Sequence, residues 1–183
     1  MVMNSNKLYP SLGIYLSCLN PRYLAPDLEL NSFLDVDVKK LKQSGIRGVI
    51  LDVDNTLMPY NGMNININVG RKLDEIKSEF NTCILSNTNS QRMRELEKML
   101  GVHVVSTEFR KPLPQPFLDA LEYLETIPLQ TAIIGDRLLT DIAGAKKIGI
   151  YAIKVSPVDI FSEPLNHSIV RFFETFVLGF YRE

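Results

Sequence analysis

Gly48-Val49-Ile50-Leu51-Asp52-Val53-Asp54-Asn55-Thr56 joins an unbroken apolar run to a cluster of acidic and hydroxyl side chains. A short continuous apolar run fits a strand buried on both faces, as in a parallel sheet. The polar residues that follow then fall at the strand's C-terminal end, the edge where open parallel sheets collect their ligands.

On either side the chain keeps this pattern. Thr82 to Asn87, Val102 to Thr107, Thr131 to Asp136 and Tyr151 to Val155 also read as buried strands, which makes five with Gly48 to Asp54. Val69, Leu73, Ile76 and Phe80 share one helical face, as do Met93, Leu96 and Leu100, and then Phe117, Leu121 and Leu124. Ser90 is placed to cap the second helix and Gly101 to end it; Gly45 and Gly149 end short helices before the first and last strands. Strands alternating with helices predict an α/β fold, a Rossmann-like three-layer sandwich with a mainly parallel sheet. Residues 1–45, punctuated by Pro10, Pro21 and Pro26, read as a lead-in segment packing on a core domain of residues 46–183, with a short helix near Val38 to Ser44.

An extended chain would point Asp52 and Asp54 to the same side. Two carboxylates that close repel, so one holds a proton unless a cation intervenes. The pair suits phosphate ester hydrolysis, with Asp52 attacking phosphorus and Asp54 acting as general acid and then base. Alone, Asp-x-Asp is equally a turn with capping carboxylates, but three further segments reach the same sheet edge. Ser86 and Asn87 end the second strand, where a hydroxyl and backbone N–H groups can take a phosphoryl oxygen. Lys111, followed by Pro112, lies just past the third strand and outside any helix. Asp136, Arg137 and Asp141 follow the fourth strand, with Gly135 allowing close backbone approach. A phosphate ester brings about two negative charges. Asp52 and Asp136 add one each, and one Mg²⁺ with Lys111 offsets most of the sum. Hard oxygen ligands suit Mg²⁺, with Asp136 a direct ligand and Asp141 a ligand or its orienter.

With these segments in this order, the chain resembles the haloacid dehalogenase-like (HAD-like) phosphatases over roughly Ile46 to Pro157. Asp52 to Thr56 resembles the first motif of that superfamily, Ser86 the second, Lys111 the third, and Asp136 with Asp141 the fourth. The resemblance implies Mg²⁺ bound by Asp52, the backbone carbonyl of Asp54, and Asp136; an acid at Asp54 implies phosphate chemistry rather than dehalogenation. Ile50 to Tyr60, Ile84 to Asn89 and Gly135 to Asp141 look like subfamily IIIA, and within it the YqeG-type and phosphatidylglycerophosphate phosphatase members. That likeness implies hydrolysis of phosphatidylglycerophosphate to phosphatidylglycerol. Thr56, Ser86 and Asn87 are read as substrate-binding, and Arg137 as a partner for a second phosphodiester of the substrate or, equally, a solvated surface residue. Another phosphate ester, on a protein or a polynucleotide end, is the alternative, and a noncatalytic phosphate-binding module is disfavoured by the complete motif set.

Only about thirty residues separate Asp52 from Ser86, and about twenty-five separate Lys111 from Asp136. Neither gap holds a separate cap domain, so the site should be open to phosphate on a large or surface-bound molecule. Twenty Lys and Arg against twenty-one Asp and Glu give no field to attract nucleic acid. Cys18 and Cys83, both in apolar neighbourhoods, read as buried small hydrophobes, and His103 and His167 as structural. With no signal peptide or spanning segment evident, the protein is expected to be cytoplasmic or peripheral at a membrane surface. Ile169, Phe172, Phe173, Phe176, Val177 and Phe180 form an apolar helical stripe, which fits core packing or an interfacial helix that meets membrane lipid.

Overall fold

Gly48–Leu51, here β2, lies near the middle of a sheet whose six strands all pair in parallel. The computed structural model describes Gly13, Cys18 and residues 20–164. The expected apolar stripe of Ile169 to Phe180 and His167 therefore lie outside the described residues. In chain order the elements are α1 (Pro21–Leu24), β1 (Leu28–Leu30), α2 (Val38–Gln43), β2, α3 (Ile67–Glu79), β3 (Asn81–Ile84), α4 (Ser90–Leu100), β4 (His103–Val104), α5 (Pro114–Leu124), β5 (Thr131–Gly135), α6 (Ala143–Lys147) and β6 (Tyr151–Val155). A π-helical turn, Leu138–Ile142, leads into α6, and single 3₁₀ turns lie at Phe33–Asp35, Pro128–Gln130 and Ile160–Ser162. The strand order β1-β6-β5-β2-β3-β4 places β2 between β5 and β3.

Strand alternation sorts the core into two halves, one on each side of the sheet. Val49, Leu51, Ile84, Ala132, Ile134, Ile153 and Val155 meet Leu41, Leu73, Ile76, Met93 and Leu96 from α2, α3 and α4. Ile50, Cys83, Ile133 and Ala152 meet Leu24, Phe117, Leu121, Leu124 and Ala143 from α1, α5 and α6. The three helical faces expected from the sequence are buried as the period required, and the result is the expected α/β/α sandwich. Cys18 and Cys83 are buried free thiols, and burial pushes the Cys83 thiol well above its usual range.

Several details differ from the sequence reading: β3 ends at Ile84 rather than Asn87, and β4 is His103–Val104 rather than Val102 to Thr107. The sheet has a sixth strand, β1, which pairs with β6 through Leu28↔Ile153 to Leu30↔Val155. At three residues, among prolines, it is too short to show a period. Strand β2 stops at Leu51 rather than Asp54, because the Val53 carbonyl accepts from the N–H groups of Thr56 and Leu57 and turns the chain. The cap of α4 is Asn89, whose side chain accepts from the Arg92 N–H, and Ser90 is the first helical residue. Gly45, Gly101 and Gly149 have φ of 87°, 59° and 84°, as C-terminal helix stops require.

Among the described residues no helix is long and apolar enough to cross a membrane, and no second sheet is inserted. The loop after β2 runs directly into α3.

Candidate active site

The three central strands bring their C-terminal ends together and so assemble the site. The Asp52 N–H donates to the Ile134 carbonyl at 2.9 Å, which carries the β2–β5 pairing one step further and sets Asp52 beside Gly135-Asp136. The Leu85 N–H donates to the Leu51 carbonyl at 2.9 Å, so Ser86, buried, emerges next to the segment that follows Asp52.

Asp52, Asp136 and Asp141 each present an oxygen within 4.8 Å of the others, and all three are buried. The Lys111 ammonium lies among them, 2.7 Å from Asp52 Oδ1 and 2.7 Å from Asp141 Oδ1, with 2% of its side chain exposed. Thr56 Oγ1 stands 3.2 Å from Asp52 Oδ2 and 3.4 Å from Asp136 Oδ1. Asp141 Oδ2 accepts from the Arg137 N–H at 3.1 Å, which fixes that carboxylate from the side away from Lys111.

Full ionisation of the three carboxylates against one ammonium would leave two negative charges in surplus inside the protein. Burial pushes the Asp52 carboxyl up to about 8; Lys111 opposes this, and Asp141 and Asp136 add to it. Burial alone would lower the Lys111 pKa, but Asp141 and Asp52 outweigh it and hold the ammonium charged. A divalent cation would balance the surplus, and an all-oxygen donor set is of the kind Mg²⁺ takes. The residues present therefore fit such an ion.

The other predicted site residues are placed differently. Asn87 does not face the acidic cluster with its amide: Oδ1 accepts from the Lys111 N–H at 2.9 Å and Nδ2 donates to the Lys111 carbonyl at 3.1 Å. It thus holds the backbone on which the lysine stands. Asp54 is outside the cluster, because the turn at Val53 aims its carboxylate at Arg92. Arg92 Nη1 donates to Asp54 Oδ2 at 2.7 Å and Nη2 to Oδ1 at 2.8 Å. Asn55, at φ 62°, makes that turn possible, since Asn tolerates the left-handed region better than most residues. Its carbonyl accepts from the Val158 N–H, its Oδ1 from the Asp159 N–H, and its Nδ2 donates to Glu163 at 2.7 Å. Arg137 is half-buried at the edge, and its Nε, buried, has no hydrogen-bond partner.

Arg92 is the polar residue that sequence reasoning missed. Its signal was faint: a charged residue in the first turn of α4, one position before Met93 on the apolar face. His103 pairs with Glu97 at 2.8 Å and stacks on Tyr123 with centroids 4.2 Å apart, away from the acidic cluster.

The chain matches the family described as mitochondrial PGP phosphatase over residues 11–158. A Bacillus subtilis protein named probable phosphatase YqeG is 29% identical over 154 residues, covering 82% of this chain and 89% of its own. The Chlamydomonas reinhardtii protein named phosphatidylglycerophosphate phosphatase 1, chloroplastic, is 28% identical over 167 residues; the match covers 85% of this chain and 60% of that longer one. Among solved structures, a predicted HAD-like family hydrolase from Porphyromonas gingivalis superposes with a TM-score of 0.52 at 13% identity, covering 70% of this chain and 98% of the other. At that identity the likeness concerns the fold.

Proposed function

The chain belongs to the mitochondrial PGP phosphatase family and is a phosphatase of the HAD-like type, and we propose that it releases phosphate from phosphatidylglycerophosphate through an aspartyl-phosphate at Asp52. The observation that carries this reading is the buried Lys111 ammonium held between Asp52 and Asp141 inside a cluster of three carboxylates. A lysine so placed, among carboxylates whose full ionisation would exceed its charge, suits a phosphoryl group better than fold stability.

Asp52 Oδ forms a bond to phosphorus as the bond from phosphorus to the alkoxide breaks, and Asp54, protonated on the oxygen that turns from Arg92 toward the site, gives the leaving oxygen its proton. Asp54 then takes a proton from water, whose oxygen attacks phosphorus. The bond to Asp52 breaks with its electron pair returning to the carboxylate. Asp52, Asp136 and the Asp54 carbonyl, with Asp141 as a further ligand or orienter, would hold Mg²⁺, which when bound would supply charge stabilisation at the phosphoryl oxygens. Lys111 neutralises the same oxygens, and Thr56 and Ser86 line the position they occupy. Arg137 offers its free Nε, and its guanidinium, to a second anionic group of the substrate.

Access supports a lipid substrate. No cap covers the sheet edge among the described residues, and the segment bonded to Asn55 carries exposed Val158, Ile160 and Phe161, the last 92% exposed. Apolar side chains beside an open phosphatase site suit peripheral contact with a bilayer surface.

The test is phosphate release from phosphatidylglycerophosphate in mixed micelles, with and without Mg²⁺, beside phosphatidic acid, a phosphopeptide and a 3′-phosphorylated oligonucleotide. Metal-dependent preference for the first lipid is expected. Activity on the phosphopeptide or oligonucleotide alone would keep the reaction and overturn the substrate.

A further inference from the structure

Asp54 is held by a set of contacts that no motif of the site accounts for. Besides the two Arg92 bonds, its Oδ1 accepts from the Asn61 N–H at 2.8 Å, and Arg92 Nη2 also donates to the Gly62 carbonyl at 3.2 Å. One guanidinium therefore ties down both oxygens of Asp54 and the far end of the loop that begins there. Arg92 is itself anchored: its backbone N–H donates to the Asn89 side chain at 3.0 Å, and the residue is 8% exposed. A planar fork against a planar carboxylate fixes direction as well as distance, which an ammonium on a flexible stem does not.

The neighbourhood makes a purely structural purpose a poor account. A part-buried ion pair contributes little net stability compared with apolar packing, and α4 already has its own cap and an apolar face on the core. The other partner of the pair is the carboxylate two residues past the nucleophile.

We infer that Arg92 is a positioning residue for Asp54: by keeping hold of one oxygen while the other is released to carry the proton, it sets where the Asp54 carboxyl stands relative to the leaving group and the attacking water. The inference rests on the acid and base reading of Asp54 given above. Arg92 touches neither substrate nor metal and acts through Asp54 alone. Substrates whose leaving oxygen needs a proton depend on it, and an aryl phosphate, whose leaving group departs unprotonated, does not depend on it in the first step.

The experiment compares wild type, Arg92→Gln, Arg92→Lys, Asp54→Asn and the double variant Arg92→Gln with Asp54→Asn. Steady-state kinetics use an alkyl phosphate, and rapid-mixing kinetics use 4-nitrophenyl phosphate, all with Mg²⁺. Arg92→Gln is expected to lower kcat on the alkyl ester by about 10- to 100-fold, a portion of what general acid–base groups contribute, with KM changed less than about twofold. Arg92→Lys, which keeps the charge and the fold but loses the fork, should fall between Gln and wild type. The first release of nitrophenol should stay near the wild-type rate in Arg92→Gln and Arg92→Lys. In the Asp54→Asn background, Arg92→Gln should change kcat by no more than about twofold, because its only route is already removed.

A full further loss in that background, or equal loss in nitrophenol release and alkyl turnover, would overturn the positioning role while leaving the Asp54 reading intact. Undiminished turnover in Asp54→Asn would instead bring down the acid and base reading, and the inference with it.

Discussion

Lys111 is the residue whose loss should be felt most widely. Replacing it by Met keeps the volume and leaves Asp52 and Asp141 facing each other without a cation. Breaking a buried pair by removing one partner costs about 3–5 kcal/mol. Lys111→Met is therefore expected to lower the melting temperature of the metal-free protein, to recover part of that loss in Mg²⁺, and to have no turnover; calorimetry in chelator and in Mg²⁺ reads all but the last. The acidic residues and Lys111 were legible in the sequence because each follows a strand or lies beside a proline, where a polar side chain reaches the sheet edge. The contact made by Asp54 was not. Alternation holds only while the chain is extended, and the turn at Val53 cancels it. The bonds of the Asn87 amide were hidden for a related reason: a residue at the mouth of a site can hold the backbone of its neighbour, here Lys111.

Strand ends and helix starts carry the next level of constraint. A Cβ at Gly135 would lie 2.7–2.8 Å from the Asp141 side chain, closer than such atoms approach. Gly135→Ala must therefore displace Asp141, Lys111 or the strand end. It is expected to cut turnover at least tenfold while leaving the sheet intact by circular dichroism. Leu96→Ala probes the opposite case, a fully buried side chain of α4 on the core: it should cost about 2–5 kcal/mol in denaturant unfolding with turnover retained where the protein stays folded. Long helical faces and apolar runs were readable because burial on one side forces a period. The strand Leu28–Leu30 was hidden because its pairing with β6 is a long-range event that three residues among prolines do not announce.

At the scale of the whole molecule, the sheet edge concentrates more negative charge than the fold can balance by itself. The Asp52 carboxyl, raised from 3.8 to about 8 mainly by burial, binds its proton more tightly in the folded chain than in the unfolded one. Stability from this group is present at low pH and lost as pH rises through that window. Metal-free protein should thus melt at a lower temperature near pH 8 than near pH 5, and saturating Mg²⁺ should remove most of the difference by taking the proton's place. A melting temperature independent of Mg²⁺ at both values would count against a divalent site. That Asp52 carries the phosphoryl group is read by mixing Asp54→Asn protein with 4-nitrophenyl phosphate, whose leaving group needs no acid, and Mg²⁺, quenching, reducing with borohydride and locating the reduced residue by mass spectrometry. Slowed hydrolysis in this variant lets the intermediate accumulate, and a homoserine at position 52 is the predicted result. Phosphoryl transfer to any other residue, or turnover by Asp52→Asn, would contradict it.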